Sequence, residues 1–420
     1  MNSSVSVSAF NSPRIQNILP FVALPLLIIT SFASPPFLGR GVAFSGLLVF
    51  TYYACIVSPW PPNDGTTRAM RYGMTGSWMF LLTAIERHLF HHPEMDFRIL
   101  DEEKRRKNRQ PPEWTLQKLH WAFALVCTLR GVGWNMGNLQ VKAVRDEIRN
   151  KRPNKASFVA AKTFRAALAY LALDTVMTLA KHTHITPLWA WDPVTLLNIS
   201  FLEFLMAVSV YATMSLQFEL VAAVSVGIGL CNPEDWPPLF GSATSCYTVA
   251  NVWGKFWHGY IRQPVLGFSH AIISFLGIPR RSYLAYSIHL FTAFFISALF
   301  HTLSLFVVSE GYLRTRDLIF HMGCFFMAQP VATVAESIIM SRYRPRTQSE
   351  NTGTSGSQLK SILASAMVRR TIGYLWVVSW FVLTGWWFVQ DYIAIGVLEW
   401  PLPISFWTDF GLEKVFVLKA

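Results

Sequence analysis

Nine stretches of this 420-residue chain are apolar for long enough to approach or cross a bilayer, and no other feature restricts its fold so strongly. A spanning helix needs about 20 mostly apolar residues, because each backbone N–H and C=O inside hydrocarbon must be satisfied within its own segment. The candidate spans are 15–33, 41–58, 73–90, 118–138, 158–180, 196–229, 283–308, 317–341 and 371–390. The 196–229 run reads either as one long tilted helix or as a span followed by a shorter segment. Glu203 and Glu219 within it must face protein or water, since an ionised carboxylate is costly against lipid. Charged residues make up only 14% of the chain, where a soluble domain carries about a quarter, so the apolar runs are not soluble cores. The expected fold is all-α: a polytopic integral membrane helical bundle with about 8–9 transmembrane helices.

The run around Ile18–Ala33 has no clean cleavage site before Ser34-Pro35-Pro36 and reads as a first span or signal anchor. The net charge of +12 sits in short basic clusters between apolar segments, a pattern of cytosolic loops against anionic headgroups or an anionic co-substrate. With no basic soluble domain to hold it, nucleic acid is not an expected partner. Placing 142–155, 230–281 and 342–370 on one side is consistent with the spans between them. The basic 91–117 loop then conflicts with a full span at 118–138, so either that segment is re-entrant or one basic loop lies on the far side. The 342–370 loop contains QSENTGTSGSQ, a flexible Ser/Gly-rich linker. The five cysteines, Cys55, Cys127, Cys231, Cys246 and Cys324, form no C-x-x-C pair, so neither a disulfide framework nor a zinc site is expected.

Between the spans lies Asp235–Arg262, DWPPLFGSATSCYTVANVWGKFWHGYIR. It gathers Trp236, Trp253 and Trp257 around Lys255, His258 and Arg262, with Asn251 just upstream. A lipid-facing span does not carry Asn, Lys, His and Arg within twelve residues, and large rings beside cations suit a polar site at a membrane surface. Farther on, His301 stands in LFTAFFISALFHTLSLFVV, with Ser297 and Ala298 one turn before it. An imidazole there needs a hydrogen-bonding partner or a wet cavity, and burial keeps it neutral, the state a general base requires. By itself it reads equally as a histidine bonding a neighbouring helix. His289 lies twelve residues earlier, pointing about 120° away at 3.6 residues per turn, so the two are not expected to act together. There is no H-E-x-x-H, no Asp-rich diphosphate motif and no G-x-S-x-G, which argues against metalloprotease, metal-dependent prenyltransferase and serine hydrolase.

PPLFGSATSCYTVANVWGKFWHGYIR resembles the wax-synthase signature with its W-G-x-x-W-H core, and FFISALFHTL resembles the second, histidine-bearing motif of that family. RGVGWN at Arg130–Asn135 resembles a turn of its fungal members. The wax synthase-like proteins belong to the membrane-bound O-acyltransferases, which esterify an alcohol from an acyl-coenzyme A. The resemblance implies that His301 is the general base and His258 a supporting polar residue bonding substrate or the developing oxyanion. Asn251, Trp253 and Trp257 match the motif frame, and with Lys255 and Arg262 are expected on the acyl-donor side. Arg280 and Arg281 flank the same region as further phosphate contacts, though topology alone explains such cations as well. Many relatives carry an acidic residue after the second-motif histidine; here Thr302 follows, so no carboxylate orienter is expected there.

On this basis 1–114 holds N-terminal transmembrane segments and a charged loop, 115–345 the acyltransferase core, and 346–420 a flexible loop, the last transmembrane helix and a tail. The wording of the motif is most similar to the fungal group that acetylates terpenoid or meroterpenoid secondary metabolites. The expected reaction is transfer of acetyl from acetyl-CoA, a co-substrate and not a bound cofactor, to a lipophilic alcohol, without a metal. Thioesters are activated enough that deprotonation, alignment and oxyanion stabilisation suffice. A multi-pass location in the endoplasmic reticulum is expected. The alternatives are a long-chain wax ester synthase, a membrane terpene cyclase or isomerase using the same histidine, and a transporter, the last weakened by the absence of an internal repeat.

Overall fold

The computed structural model describes residues 15–57, 65–100, 115–182, 193–309, 311–342, 356–400 and 402–412. The charged run 101–114, the linker residues 343–355 and His184 lie outside the described residues. Twelve helices of ten residues or more are present among them: α1 (Ile15–Ala33), α2 (Arg40–Val57), α3 (Gly65–Thr75), α4 (Trp78–Phe90), α5 (Leu116–Cys127), α6 (Leu139–Lys151), α7 (Lys155–Lys181), α8 (Pro193–Gly227), α9 (Arg262–Phe275), α10 (Tyr283–Ser309), α11 (Thr315–Arg342) and α12 (Gly356–Ala394). Six helical stretches are long and apolar enough to cross a membrane: Arg40–Val57, Lys155–Lys181, Val194–Gly227, Tyr283–Ser309, Thr315–Ser341 and Met367–Ala394. Phe164, Leu197, Phe204, Leu299 and Leu383 on these stretches are each at least half exposed, an apolar surface that suits lipid and not water.

Two expected spans differ. The 73–90 segment breaks at Gly76-Ser77 between α3 and α4. The 118–138 segment is helical only to Cys127, a helix of 12 residues and about 18 Å, too short to cross. It stops there because Gly131 and Gly133 turn the chain at φ 66° and 76°, a left-handed conformation that costs glycine little. The long 196–229 candidate is one continuous helix, α8.

The chain divides into two compact units, Met1–Leu129 and Arg130–Ala420. In the first, Arg40, Lys118 and Arg87 show how buried charge is paired. Arg40 forks onto Glu94 at 2.5 and 2.7 Å, and Lys118 Nζ lies 3.3 Å from the same carboxylate. The fully buried Arg87 donates to the carbonyls of Leu125 and Thr128, which close the end of α5.

The second unit carries the motifs. Its spanning helices alternate in direction, as three antiparallel registers show. Lys162 of α7 meets Glu219 of α8 at 2.7 Å. His301 of α10 stacks on Phe326 of α11. Along α11, His321, Gln329 and Glu336 bond to Asp391, Thr384 and Trp376 of α12 in turn. Spaced eight and seven residues apart, those three residues lie on one stripe at about two helical turns each. Gly385 near the end of α12 lies against Glu203 near the start of α8, so the ends at Lys155, Gly227, Tyr283 and Arg342 share one side, the side of the basic loops.

Candidate active site

Residues 233–261 connect α8 to α9 through a succession of short pieces. They comprise 3-10 turns at Pro233–Asp235 and Ala243–Ser245, one α-turn at Val249–Asn251 and a π-helical turn at Val252–Phe256. Irregular backbone is tolerated between spanning helices only where protein surrounds it. Here aromatic packing provides that surrounding. Trp236 sits edge-on to Phe218, Phe240 lies 4.4 Å from Tyr211, and Trp253 packs against Phe294 and Phe381. The motif is thus inserted between α8, α10, α11 and α12 and does not lie flat on a surface, as its tryptophans and cations alone suggested. Two glycines permit the approach. A Cβ on Gly241 would stand 2.1 Å from Lys255 O, and one on Gly373 of α12 would stand 2.3 Å from Tyr247 O.

The top of the segment is held by a carboxylate. Glu336 accepts the backbone N–H of Val249 at 2.7 Å and of Ala250 at 3.0 Å, and the indole N–H of Trp376 at 2.6 Å. These are the otherwise orphaned donors of a helix start, and Thr248 Oγ1 takes the next one, from Asn251, at 3.0 Å. About two turns away along α11, Gln329 Oε1 accepts both Trp253 Nε1, at 3.2 Å, and Trp380 Nε1, at 3.1 Å, while its amide donates to Phe325 O. Gln329 is completely buried, so its orientation is set by these bonds. Trp253 is therefore occupied in fastening the motif to α11 and α12.

After the π-turn the backbone becomes extended at Trp257 and delivers His258. Its ring lies 5.3 Å from that of Trp257 and 5.2 Å from that of Tyr260, and His301 is within electrostatic reach. Burial first, then the proximity of His301 and Arg130, pushes the His258 pKa down to about 3, so the ring is neutral at physiological pH. Its Nδ1 is buried and has no hydrogen-bond partner among the described residues. Burial likewise pushes the Tyr260 phenol up to about 12, with Arg130 opposing.

His301 projects from α10 into an aromatic box. Its face stacks on Phe326 at 5.0 Å and 19°, and Phe388 meets it at 73°. Its Nδ1 shares a hydrogen bond of 3.0 Å with Tyr392 Oη, a residue 3% exposed on the last helix. The expected absence of a carboxylate after the histidine is thus accompanied by a phenol 91 positions downstream. When Nδ1 carries the proton and donates to that oxygen, the basic lone pair is on Nε2. Beside it, Asp391 pairs with His321 at 2.9 Å. His289 has a different environment: Nδ1 bonds Ser269 Oγ of α9 at 2.6 Å and its ring packs against His270.

The remaining expected residues are less closely gathered. Asn251 is half-buried in the α-turn, and Lys255 is exposed on the π-turn. Arg262, also exposed, opens α9, seven residues before the Ser269–His289 contact and about 10 Å farther along the helix axis. Arg280 and Arg281 are exposed in the turn before α10. Sequence reasoning missed Tyr392, Gln329 and Glu336. The last two had a readable signal, since an amide and a carboxylate inside an apolar span require partners; Tyr392 had none.

A spanning helical bundle that encloses two neutral imidazoles is the class this geometry defines. Residues 236–327, which include both His258 and His301, match the model of the membrane bound O-acyl transferase family. The chain is similar to the acetyltransferase eriL of Hericium erinaceus, 24% identical over 310 residues that cover 71% of this chain and 72% of the relative. It is also similar to the acetyltransferase spyB of Aspergillus fumigatus, 28% identical over 41% of this chain and 29% of the relative. The acetyltransferase TRI7 of Fusarium sporotrichioides is 27% identical over 49% and 45%. The chain thus spans less than half the length of two of these three relatives. No solved structure matches it.

Proposed function

We propose that this protein is an acyl-CoA-dependent O-acyltransferase that moves acetyl from acetyl-CoA to a hydroxyl of a lipophilic alcohol of the terpenoid or meroterpenoid class, in the endoplasmic reticulum membrane. The observation that carries this reading is the pair His301 and His258, brought within electrostatic reach at the end of the inserted motif, with His301 oriented by Tyr392 at 3.0 Å. The names of the relatives support the acetyl donor.

In this mechanism Tyr392 Oη accepts the Nδ1 proton of neutral His301, leaving Nε2 to remove the proton of the acceptor hydroxyl. The hydroxyl oxygen attacks the thioester carbonyl, and the carbonyl electrons become an oxyanion. His258, through its buried and unpartnered Nδ1, supplies a hydrogen bond to that oxygen when protonated at that atom. Collapse expels the thiolate of coenzyme A, which takes the proton from the His301 imidazolium. The products are the ester and the free thiol, and no acyl-enzyme forms. Lys255, Arg262, Arg280 and Arg281 are the exposed cations on the donor side.

The experiment is thioester dependence. Purified protein given the alcohol and acetyl-CoA should release one coenzyme A per ester formed. A product that forms equally well without the thioester makes the protein a cyclase or isomerase and overturns the reading.

A further inference from the structure

The turn that follows α5 brings an unassigned charge to this site. Arg130 donates from Nη1 to Pro237 O at 3.0 Å, and Gln263 donates to Met136 O. The 130–137 turn is therefore tied to both ends of the inserted motif, before Phe240 and after Tyr260. Phe240 packs on Trp257 at 5.4 Å, and Trp257 on His258, so Arg130 belongs to the same cluster of contacts.

Arg130 is half-buried, and a guanidinium partly withdrawn from water is stabilised by a counterion. Arg130 has no carboxylate at ion-pair distance among the described residues. Among the described residues, Asp235, two positions before Pro237, pairs with Arg145 at 3.4 Å, and Glu219 pairs with Lys162 at 2.7 Å. The other groups within electrostatic reach are the neutral His258, the phenol Tyr260, and Lys162, whose charge Glu219 answers. The positive charge of Arg130 is left over.

We propose that Arg130 is an anchor for the phosphate groups of the acyl donor, set on the basic-loop side of His258; this rests on the acyltransferase reading above. Position decides between phosphate and oxyanion. Arg130 bonds Pro237 near the start of the inserted motif, whereas His258 follows the π-turn near its end. Trp236, which precedes Pro237, packs on Phe218 about 13 Å inward from the α8 end at Gly227, whereas His301 lies about 27 Å inward from the start of α10. The phosphates of a coenzyme A thioester are held away from its carbonyl by the pantetheine arm, and that is the order Arg130 and His301 present. A planar guanidinium with one N–H committed to Pro237 keeps further N–H groups for a forked contact with phosphate.

The test compares two donors on the full-length protein in detergent or nanodiscs. With acetyl-CoA, R130Q should raise KM about 10- to 100-fold, the range for losing a hydrogen bond to a charged group, while kcat stays within about threefold. With S-acetylpantetheine, which lacks the phosphates, R130Q and the parent should have equal kcat/KM. R130K, which keeps the charge but not the fork, should give an intermediate KM and stands in if R130Q does not fold. A fall in kcat at unchanged KM, or equal losses with both donors, overturns the assignment. Coenzyme A titration separates the two claims. If R130Q binds coenzyme A as the parent does, the anchor fails and the acyltransferase reading survives. If the parent binds coenzyme A more tightly than R130Q but transfers no acyl group, the anchor survives and the reading fails.

Discussion

Replacing Tyr392 with Phe removes its hydrogen bond to His301 and keeps the aromatic ring. The residue is 3% exposed, and its ring packs at 4.7 Å on Phe388, a contact that phenylalanine keeps. In the resting enzyme the 3.0 Å bond joins two neutral groups and contributes about 0.5–1.5 kcal/mol. During proton abstraction the imidazole becomes cationic, and a bond to a charged group contributes about 1.5–3 kcal/mol. The difference, about 1–2 kcal/mol, exists only in the transition state, so kcat should fall about 5- to 30-fold with both KM values unchanged. Initial rates of ester formation at varied acetyl-CoA and varied alcohol measure this directly, with a thermal melt of the same sample to exclude unfolding. A kcat within twofold of the parent, or a loss confined to KM, would refute Tyr392 as the residue that positions the base.

Other perturbations probe the frame around the site. E336Q turns one acceptor oxygen into a donor facing either the Ala250 N–H or those of Val249 and Trp376, so it should cost about 2–4 kcal/mol and lower Tm by several degrees, read by scanning fluorimetry. H289A should retain near-parental kcat, because His289 bonds Ser269 and not the reacting centre; a loss equal to that of H301A would mean that packing has been mistaken for catalysis. The pH dependence of stability should carry a signature of His258. Its folded pKa is about 3 and its unfolded value near 6.5, so between them the unfolded chain binds more protons. That contribution is complete above 6.5 and declines as pH falls towards 3. H258N should therefore lose less stability than the parent from about pH 7 to about pH 5, and identical slopes would count against a neutral, buried His258.

Much of this fold is written in local sequence, because lipid makes a spanning helix detectable from composition alone. The spans at 158–180, 283–308 and 317–341 are recovered within a few residues as α7, α10 and α11. Hydropathy failed where backbone conformation overrules it: the 118–138 run is mostly apolar, yet Gly131 and Gly133 turn the chain. The residues of the proposed site, its two histidines and the W-G-x-x-W-H frame, were singled out from the sequence. What remained hidden is tertiary. No spacing rule joins His301 to Tyr392 or Trp253 to Gln329, since those pairs depend on which faces of α10, α11 and α12 meet. Arg130 was visible within a motif, but its unanswered charge is apparent only once Asp235 and Glu219 are seen to be engaged elsewhere. The inserted position of 233–261 was likewise illegible, because aromatic residues and cations occur both at membrane surfaces and between helices.

The most direct test of the account is acetyl transfer by purified parent and H301A, using acetyl-CoA labelled in the acetyl group and a terpenoid alcohol. The account predicts label in an ester and an equal yield of free coenzyme A with the parent, and neither with H301A although the variant is folded and still binds coenzyme A. Ester formation by H301A at the parental rate, or product from the parent without the thioester, would contradict it.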